Sequence, residues 1–235
     1  MDKFTLKRWL EELSEKTSIV GPDEMALEPR RPAAIAMLAV GLLYLTLPDS
    51  IAFVSRWLPL VFGLVLLVPL VLTRRYGLHK ANHILGVIYL TMLTTFMVLS
   101  LILAAHALLH RLESPAALLR AAVTLWFTNV IVFGSWYWRL DAGGPHGRAV
   151  FYGHRRGAFL FPQMLLGQAD LAKQGLSDWS PGFVDYLFVA FNISTAFSPT
   201  DTPIISGWAK VLTMLQAMIS LSILAFLGAR AVNIL

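Results

Sequence analysis

The sequence predicts an all-α integral membrane protein with five transmembrane helices and one re-entrant helix; six full spans are the alternative. Three observations carry this prediction. Of 235 residues, 57% are apolar and only 14% are charged, against about a quarter charged in an ordinary soluble domain. So few charges leave a surface that lipid must cover. Long apolar runs alternate with short polar turns, the pattern of successive membrane helices. One run, 181–197, is short, interrupted by polar groups and followed by a polar, proline-containing stretch.

Residues 1–31 read as a polar N-terminal extension. Within it, Leu6, Trp9, Leu10 and Leu13 recur at helical spacing over 3–16, with Arg8, Glu11, Glu12 and Glu15 mostly elsewhere around the helix. Such a helix either lies flat on the membrane or is a solvated extension. Gly21-Pro22 ends it. The first apolar run, 32–47, ends in Leu47-Pro48-Asp49 without a small-residue cleavage site, so it reads as a retained span and not as a signal peptide. It is short, since a span normally needs about 20 apolar residues. Span two, 57–73, opens with Trp57 and closes on Arg74-Arg75. Span three, 83–110, is long enough to tilt or to project from the bilayer. These spans make a three-helix membrane region over 32–110.

The second region covers 111–235. Glu113-Ser114-Pro115 precedes span four, 116–138, which ends in the interfacial sequence Trp136-Tyr137-Trp138-Arg139. Residues 139–180 form a long loop. It opens with the turn sequence Asp141-Ala142-Gly143-Gly144-Pro145 and carries Arg148, His154, Arg155 and Arg156. Its apolar patch, Phe159-Leu160-Phe161-Pro162, predicts a small ordered cap. The run 181–197 holds Asp185, Asn192, Ser194 and Thr195, and the last span is 208–233.

Several function classes are excluded at this level. The chain has no cysteine, so it has no disulfide, thiolate zinc site or cysteine nucleophile. Its net charge of +5 is spread between apolar runs and is not gathered into a patch. That distribution fits lipid headgroups and topology, not nucleic acid. There is no phosphate loop, nucleophile elbow or pair of catalytic carboxylates, so neither an enzyme nor a cofactor is expected. His79/His83 and His106/His110 are spaced to share a helix face. No carboxylate falls between either pair and no third ligand is evident, so no metal site is expected. Asn192-Ile193-Ser194 matches a glycosylation sequon but lies in an apolar segment and is discounted. The expected location is the cell membrane, with multiple passes.

Residues 181–202 carry the functional reading. Each unsatisfied polar group in lipid is costly, and non-helical backbone at membrane depth must be shielded by protein or line a wet cavity. A short helix, a polar stretch and a long apolar helix therefore form the pattern of a re-entrant pore loop. Phe183–Val232 resembles the pore region of tetrameric potassium channels, where pore helix, glycine-rich filter and inner helix follow in that order. Without gaps, Asp185-Tyr186-Leu187-Phe188 falls at the start of the pore helix. Asp201 falls on the acidic residue that closes the filter, Trp208 and Lys210 on the residues that open the inner helix, and Ser220 on a hinge glycine. Span four then corresponds to the outer helix and 139–180 to the turret. The whole chain also resembles an uncharacterised bacterial integral membrane protein family that shares this tail.

What the resemblance implies is a homotetramer that conducts a monovalent cation passively. The filter-like positions are Thr195, Ala196, Phe197, Ser198, Pro199, Thr200 and Asp201. They contain no glycine, and Pro199 fixes its own φ, so successive carbonyls cannot turn to an ion as in potassium filters. Hydroxyls of Thr195, Ser198 and Thr200 are expected to replace part of the hydration shell instead. Phe197 is expected to form an apolar constriction, and Asp201 to concentrate cations at the mouth. The structural alternative for Asp201 is a helix N-cap or a partner for Lys210. Thr213, Gln216 and Ser220 recur at helical spacing and form either a pore face or, with Ala217 and Ser222, a packing face of small and polar residues. From a different class, the alternative function is a non-conducting scaffold that binds partners through 139–180. A transporter would show paired broken helices in two halves, and no such repeat is present.

Charge and resemblance disagree about orientation. Most of the 19 Lys and Arg lie in the N-terminal extension, 74–82 and 139–180, which share one side if spans one to four alternate. On the other side, 48–56 and 111–115 hold Arg56 and Arg111. The positive-inside rule then puts the N-terminus and the long loop in the cytoplasm, whereas the turret of a potassium channel faces outward. A full sixth span, a pore loop entering from the cytoplasm, or a failure of the charge rule would each reconcile them.

Overall fold

The computed structural model describes residues 31–150, 157–177, 179–195 and 201–231. The amphipathic segment 3–16, His154 to Arg156 and the filter-like positions Ala196, Phe197, Ser198, Pro199 and Thr200 lie outside the described residues. The helices are α1 (Arg31–Tyr44), α2 (Leu58–Arg75), α3 (His79–Leu109), α4 (Pro115–Leu140), α5 (Gly144–Val150), α6 (Gln168–Lys173), α7 (Phe183–Thr195) and α8 (Gly207–Ala231), with short 3-10 turns at Asp141–Gly143 and Pro162–Leu165. Among the described residues the only pairing of extended backbone is one antiparallel bridge, Phe159 to Ile204. Four helices, α2, α3, α4 and α8, are long and apolar enough to cross a membrane. The chain is an all-helical membrane protein. α1 and α7 are apolar but shorter, at 14 and 13 residues. At about 1.5 Å per residue α7 is roughly 20 Å long, short of a hydrocarbon core of about 30 Å.

The helix ends follow from local chemistry. α2 closes with the Gly77 N–H on the Arg74 carbonyl and the Leu78 N–H on the Thr73 carbonyl, which satisfies carbonyls that the last turn leaves open. This turn requires a left-handed residue, supplied by Gly77 at φ 67°. α4 opens with Pro115 in its first turn and Ser114 accepting from the Ala117 N–H, an ordinary N-cap. The predicted first span, 32–47, is cut at Tyr44 because the chain turns inward there. Leu47 and Ile51 are fully buried, Tyr44 Oη lies 2.6 Å from Ser100 Oγ, and Thr46 Oγ1 lies 2.7 Å from Thr124 Oγ1.

α4 is the central helix. Most of its residues are buried, among them Asn129, Phe133, Tyr137 and Trp138, and it packs against α1, α3, α7 and α8. Gly134 lets α7 come close, since a Cβ there would lie 3.0 Å from the Leu187 Cα. α2 is the opposite case. Val61, Phe62, Leu64, Val65, Val68 and Val71 are all exposed. An apolar surface of this extent belongs against lipid. Residues 157–177 and 179–182 cover the end of the bundle where α4 finishes. Phe159 and Phe161 are buried there, with the Phe161 ring edge-on to Trp179 and Tyr186.

Candidate functional site: a short helix anchored in the bundle

α7 starts at the C-terminal end of α4 and ends beside its middle. At its start the Phe183 ring stands edge-on to Trp138, and Tyr186 Oη donates to Asp141 Oδ2 at 2.7 Å. Asp185 Oδ2 accepts from the Gly182 N–H at 2.8 Å, capping the first turn. At its other end the Ser194 carbonyl accepts from Trp126 Nε1 at 3.3 Å, and Ser194 Oγ accepts from Asn129 Nδ2 at 3.4 Å. Trp126 and Asn129 lie nine to twelve residues back from Trp138, roughly 14–18 Å along α4. α7 therefore runs antiparallel to α4 and stops partway through the bundle.

α8 completes the anchor. Gln216 is fully buried. Its Nε2 donates to the Ala190 carbonyl at 2.7 Å and to Ser194 Oγ at 2.8 Å, and its Oε1 accepts from Tyr137 Oη. Ser220 Oγ donates to the Ser194 carbonyl at 2.5 Å. The last turn of a helix leaves carbonyls without internal partners. Here the Ser194 carbonyl receives donors from both α4 and α8. Thr213 is buried as well, but its hydroxyl donates to Lys210 of its own helix. Gln216 and Ser220 thus turn into their own chain. The outward side of α8 presents Val211, Met214, Leu215, Met218 and Leu221.

Past α7 the chain comes back to where the helix began. The Leu160 N–H donates to the Pro203 carbonyl and the Ile205 N–H to the Ala158 carbonyl, each at 2.9 Å. Phe159 packs on Tyr137 near the end of α4 and on Trp208 at the start of α8. The segments before and after α7 are therefore stitched together at one end of the bundle. Thr195 closes α7 with its hydroxyl on the Asn192 carbonyl. Asp201 is exposed. Among the described residues no ion pair joins it to Lys210, and Ser206, whose carbonyl accepts the Lys210 N–H, occupies the N-cap position of α8.

Electrostatically the deep end of α7 is negative. A helix C-terminus carries a partial negative charge. Beside it, Asn129 Oδ1 is buried and has no hydrogen-bond partner among the described residues. Such an acceptor favours a cation or a donating water over an anion. From sequence alone, Asn129 and Trp126 have no role and Tyr137 only a place in the interfacial sequence. The available signal was Asn129 itself, an amide within an apolar span, where a polar group is costly unless it has a task. Asp141 and Arg148, which fall in the predicted loop, are both buried and hold the cap: Asp141 Oδ1 accepts the Ala158 N–H, and Arg148 Nη1 donates to the Trp138 and Asp141 carbonyls.

No protein-family model matches the chain, and neither a curated protein nor a solved structure is detectably similar to it.

Proposed function

We propose that the chain is a subunit of a passive cation-conducting pore, with α7 a re-entrant helix and residues 195–201 the narrow segment. The observation that carries the reading is the return of the chain to one end of the bundle. Ala158 to Leu160 pair with Pro203 to Ile205, while Ser194 sits at the depth of Asn129 and Gln216. A helix held this way dips into the membrane and leaves on the side it entered, giving five crossings by α1, α2, α3, α4 and α8. One such module forms only part of a pore wall, so several copies must surround an axis, four by the resemblance to potassium channels. The negative end of α7, with Asn129 Oδ1 near it, favours cations. Hydroxyls of Thr195, Ser198 and Thr200 replace hydration, Phe197 narrows the path, and Asp201 gathers cations at the mouth. The end that α7 enters also carries Arg74, Arg75, Lys80, Arg139 and Arg148, so in this reading the loop enters from the cytoplasm.

Topology is tested with single cysteines, since the chain has none of its own. Gln174→Cys and Asp201→Cys are expected to react with a membrane-impermeant maleimide from one side, and Leu112→Cys from the other. Reaction of Asp201→Cys from the side of Leu112→Cys means that α7 belongs to a sixth full span. Conduction is tested in liposomes with potassium and sodium gradients. Flux that falls severalfold in Asp201→Asn and rises in Phe197→Ala is expected; flux absent for all monovalent cations, or unchanged in both variants, removes the pore. A second reading, a non-conducting scaffold that binds partners through the cap, is favoured by the inward turn of Gln216 and Ser220, which leaves the outward side of α8 apolar. Absent flux selects it.

A further inference from the structure

Two adjoining cavities open between α4 and the α1–α3 helices, away from α7. Both are lined by Asn82, Trp138 and Arg139. The inner one, about 180 Å³, is walled by apolar side chains that include Ala34, Met37, Leu38, Leu67 and Leu70. A single water needs roughly 10–15 Å³ measured this way, so the chamber accepts a substantial apolar group. At its base is Tyr89, only 2% exposed, whose hydroxyl has no hydrogen-bond partner among the described residues. Gly63 makes room for that hydroxyl, since a Cβ there would lie 2.8 Å from Tyr89 Oη.

The outer cavity, about 440 Å³, differs in character. His79, Lys80, His83, Arg139 and His146 line it, with the rings of His79 and His146 stacked at 3.5 Å. Arg74 stands at the edge of the inner chamber. Among the described residues no Asp or Glu lines either cavity. Arg139 is held in place by packing: its guanidinium lies across Gly86, where a Cβ would fall 2.0 Å from Arg139 Cζ, and its Nη1 donates to the Asn82 carbonyl at 3.1 Å.

We propose that the paired cavity binds an anionic lipid, with its phosphate held by Arg74 and Lys80 and an acyl chain between α1 and α2 reaching towards Tyr89. The chemistry separates by depth as it does in a phospholipid: a cationic mouth, then an apolar chamber with one hydroxyl at the base. Inorganic phosphate would satisfy the mouth and leave the chamber unused. The site also opens at the more basic end of the bundle, the side on which anionic lipids attract Lys and Arg.

Native mass spectrometry of the full chain, titrated with dioleoyl phosphatidylglycerol and dioleoyl phosphatidylcholine, tests this. The phosphatidylglycerol adduct is expected to bind about tenfold more tightly. That preference falls severalfold in Arg74→Gln/Lys80→Gln, whose sites are partly or fully exposed and outside the core. Ala34→Leu, which narrows the chamber, weakens both lipids. Equal binding of the two lipids overturns the proposal, as does a preference that survives the charge substitutions. Thermal stabilisation by inorganic phosphate equal to that by phosphatidylglycerol, with no effect of Ala34→Leu, overturns it in favour of a free anion.

Discussion

Gln216→Leu is expected to unseat α7 and lower stability by about 2–4 kcal/mol. The substitution keeps an apolar side chain of similar size, so it opens little space. It removes the donor to the Ala190 carbonyl and Ser194 Oγ, and the acceptor for Tyr137 Oη. Each buried group left unpaired costs about 1–3 kcal/mol, although interhelical bonds in membrane proteins average only about 0.6 kcal/mol because the unfolded chain finds partners too. Ser220→Ala is the milder control at about 0.5–1.5 kcal/mol, because the Ser194 carbonyl keeps its bond from Trp126 Nε1. Thermal unfolding in detergent ranks the two. A Gln216→Leu protein as stable as its parent would mean that α7 is seated by packing alone.

Asp141→Ala is expected to release the cap. The Asp141 carboxylate is fully buried and takes the Tyr186 hydroxyl and the Ala158 N–H. Its loss removes the acceptor of both donors, at about 2–5 kcal/mol together. Tyr186→Phe removes only the bond from the Tyr186 hydroxyl and is expected to cost less than half as much. The effect is local, so limited proteolysis reads it best: cleavage within 157–182 speeds up by an order of magnitude or more, while α2 and α3 stay protected by the membrane. Unchanged cleavage would show that Phe159 and Phe161 hold the cap without the carboxylate.

Much of this architecture is legible in the chain because membrane helices announce themselves by continuous apolar composition. α2, α3, α4 and α8 begin and end within a few residues of the predicted runs, set by cues such as Trp57, Arg74-Arg75 and Ser114-Pro115. α1 shows the limit. Hydropathy continues to Leu47, but the helix stops at Tyr44, because Ser100 and Thr124 on distant helices draw the chain inward. The inner stripe of α8 shows another. Its spacing identifies a polar face, but spacing cannot say whether the face meets other copies or the chain's own α7; the partners of Gln216 are supplied by Asn129, Tyr137 and Ser194, which are far apart in sequence. The asymmetric cavity beside Arg139 was least legible. It is made by absences, Gly63 and Gly86, that carry no hydropathy signal.

The position of α7 in the chain has a consequence for biogenesis. α7 is synthesised before α8, yet its deep end depends on Gln216 and Ser220 of α8 for donors. When it first emerges it is too short to cross the bilayer, and its exposed polar end disfavours lipid. If α7 is the re-entrant helix proposed above, it stays at the surface until α8 has inserted and only then enters between α4 and α8. On that proposal insertion order reverses synthesis order at this point, and a nascent chain truncated before Gln216 is expected to leave the α7 segment outside the hydrocarbon core.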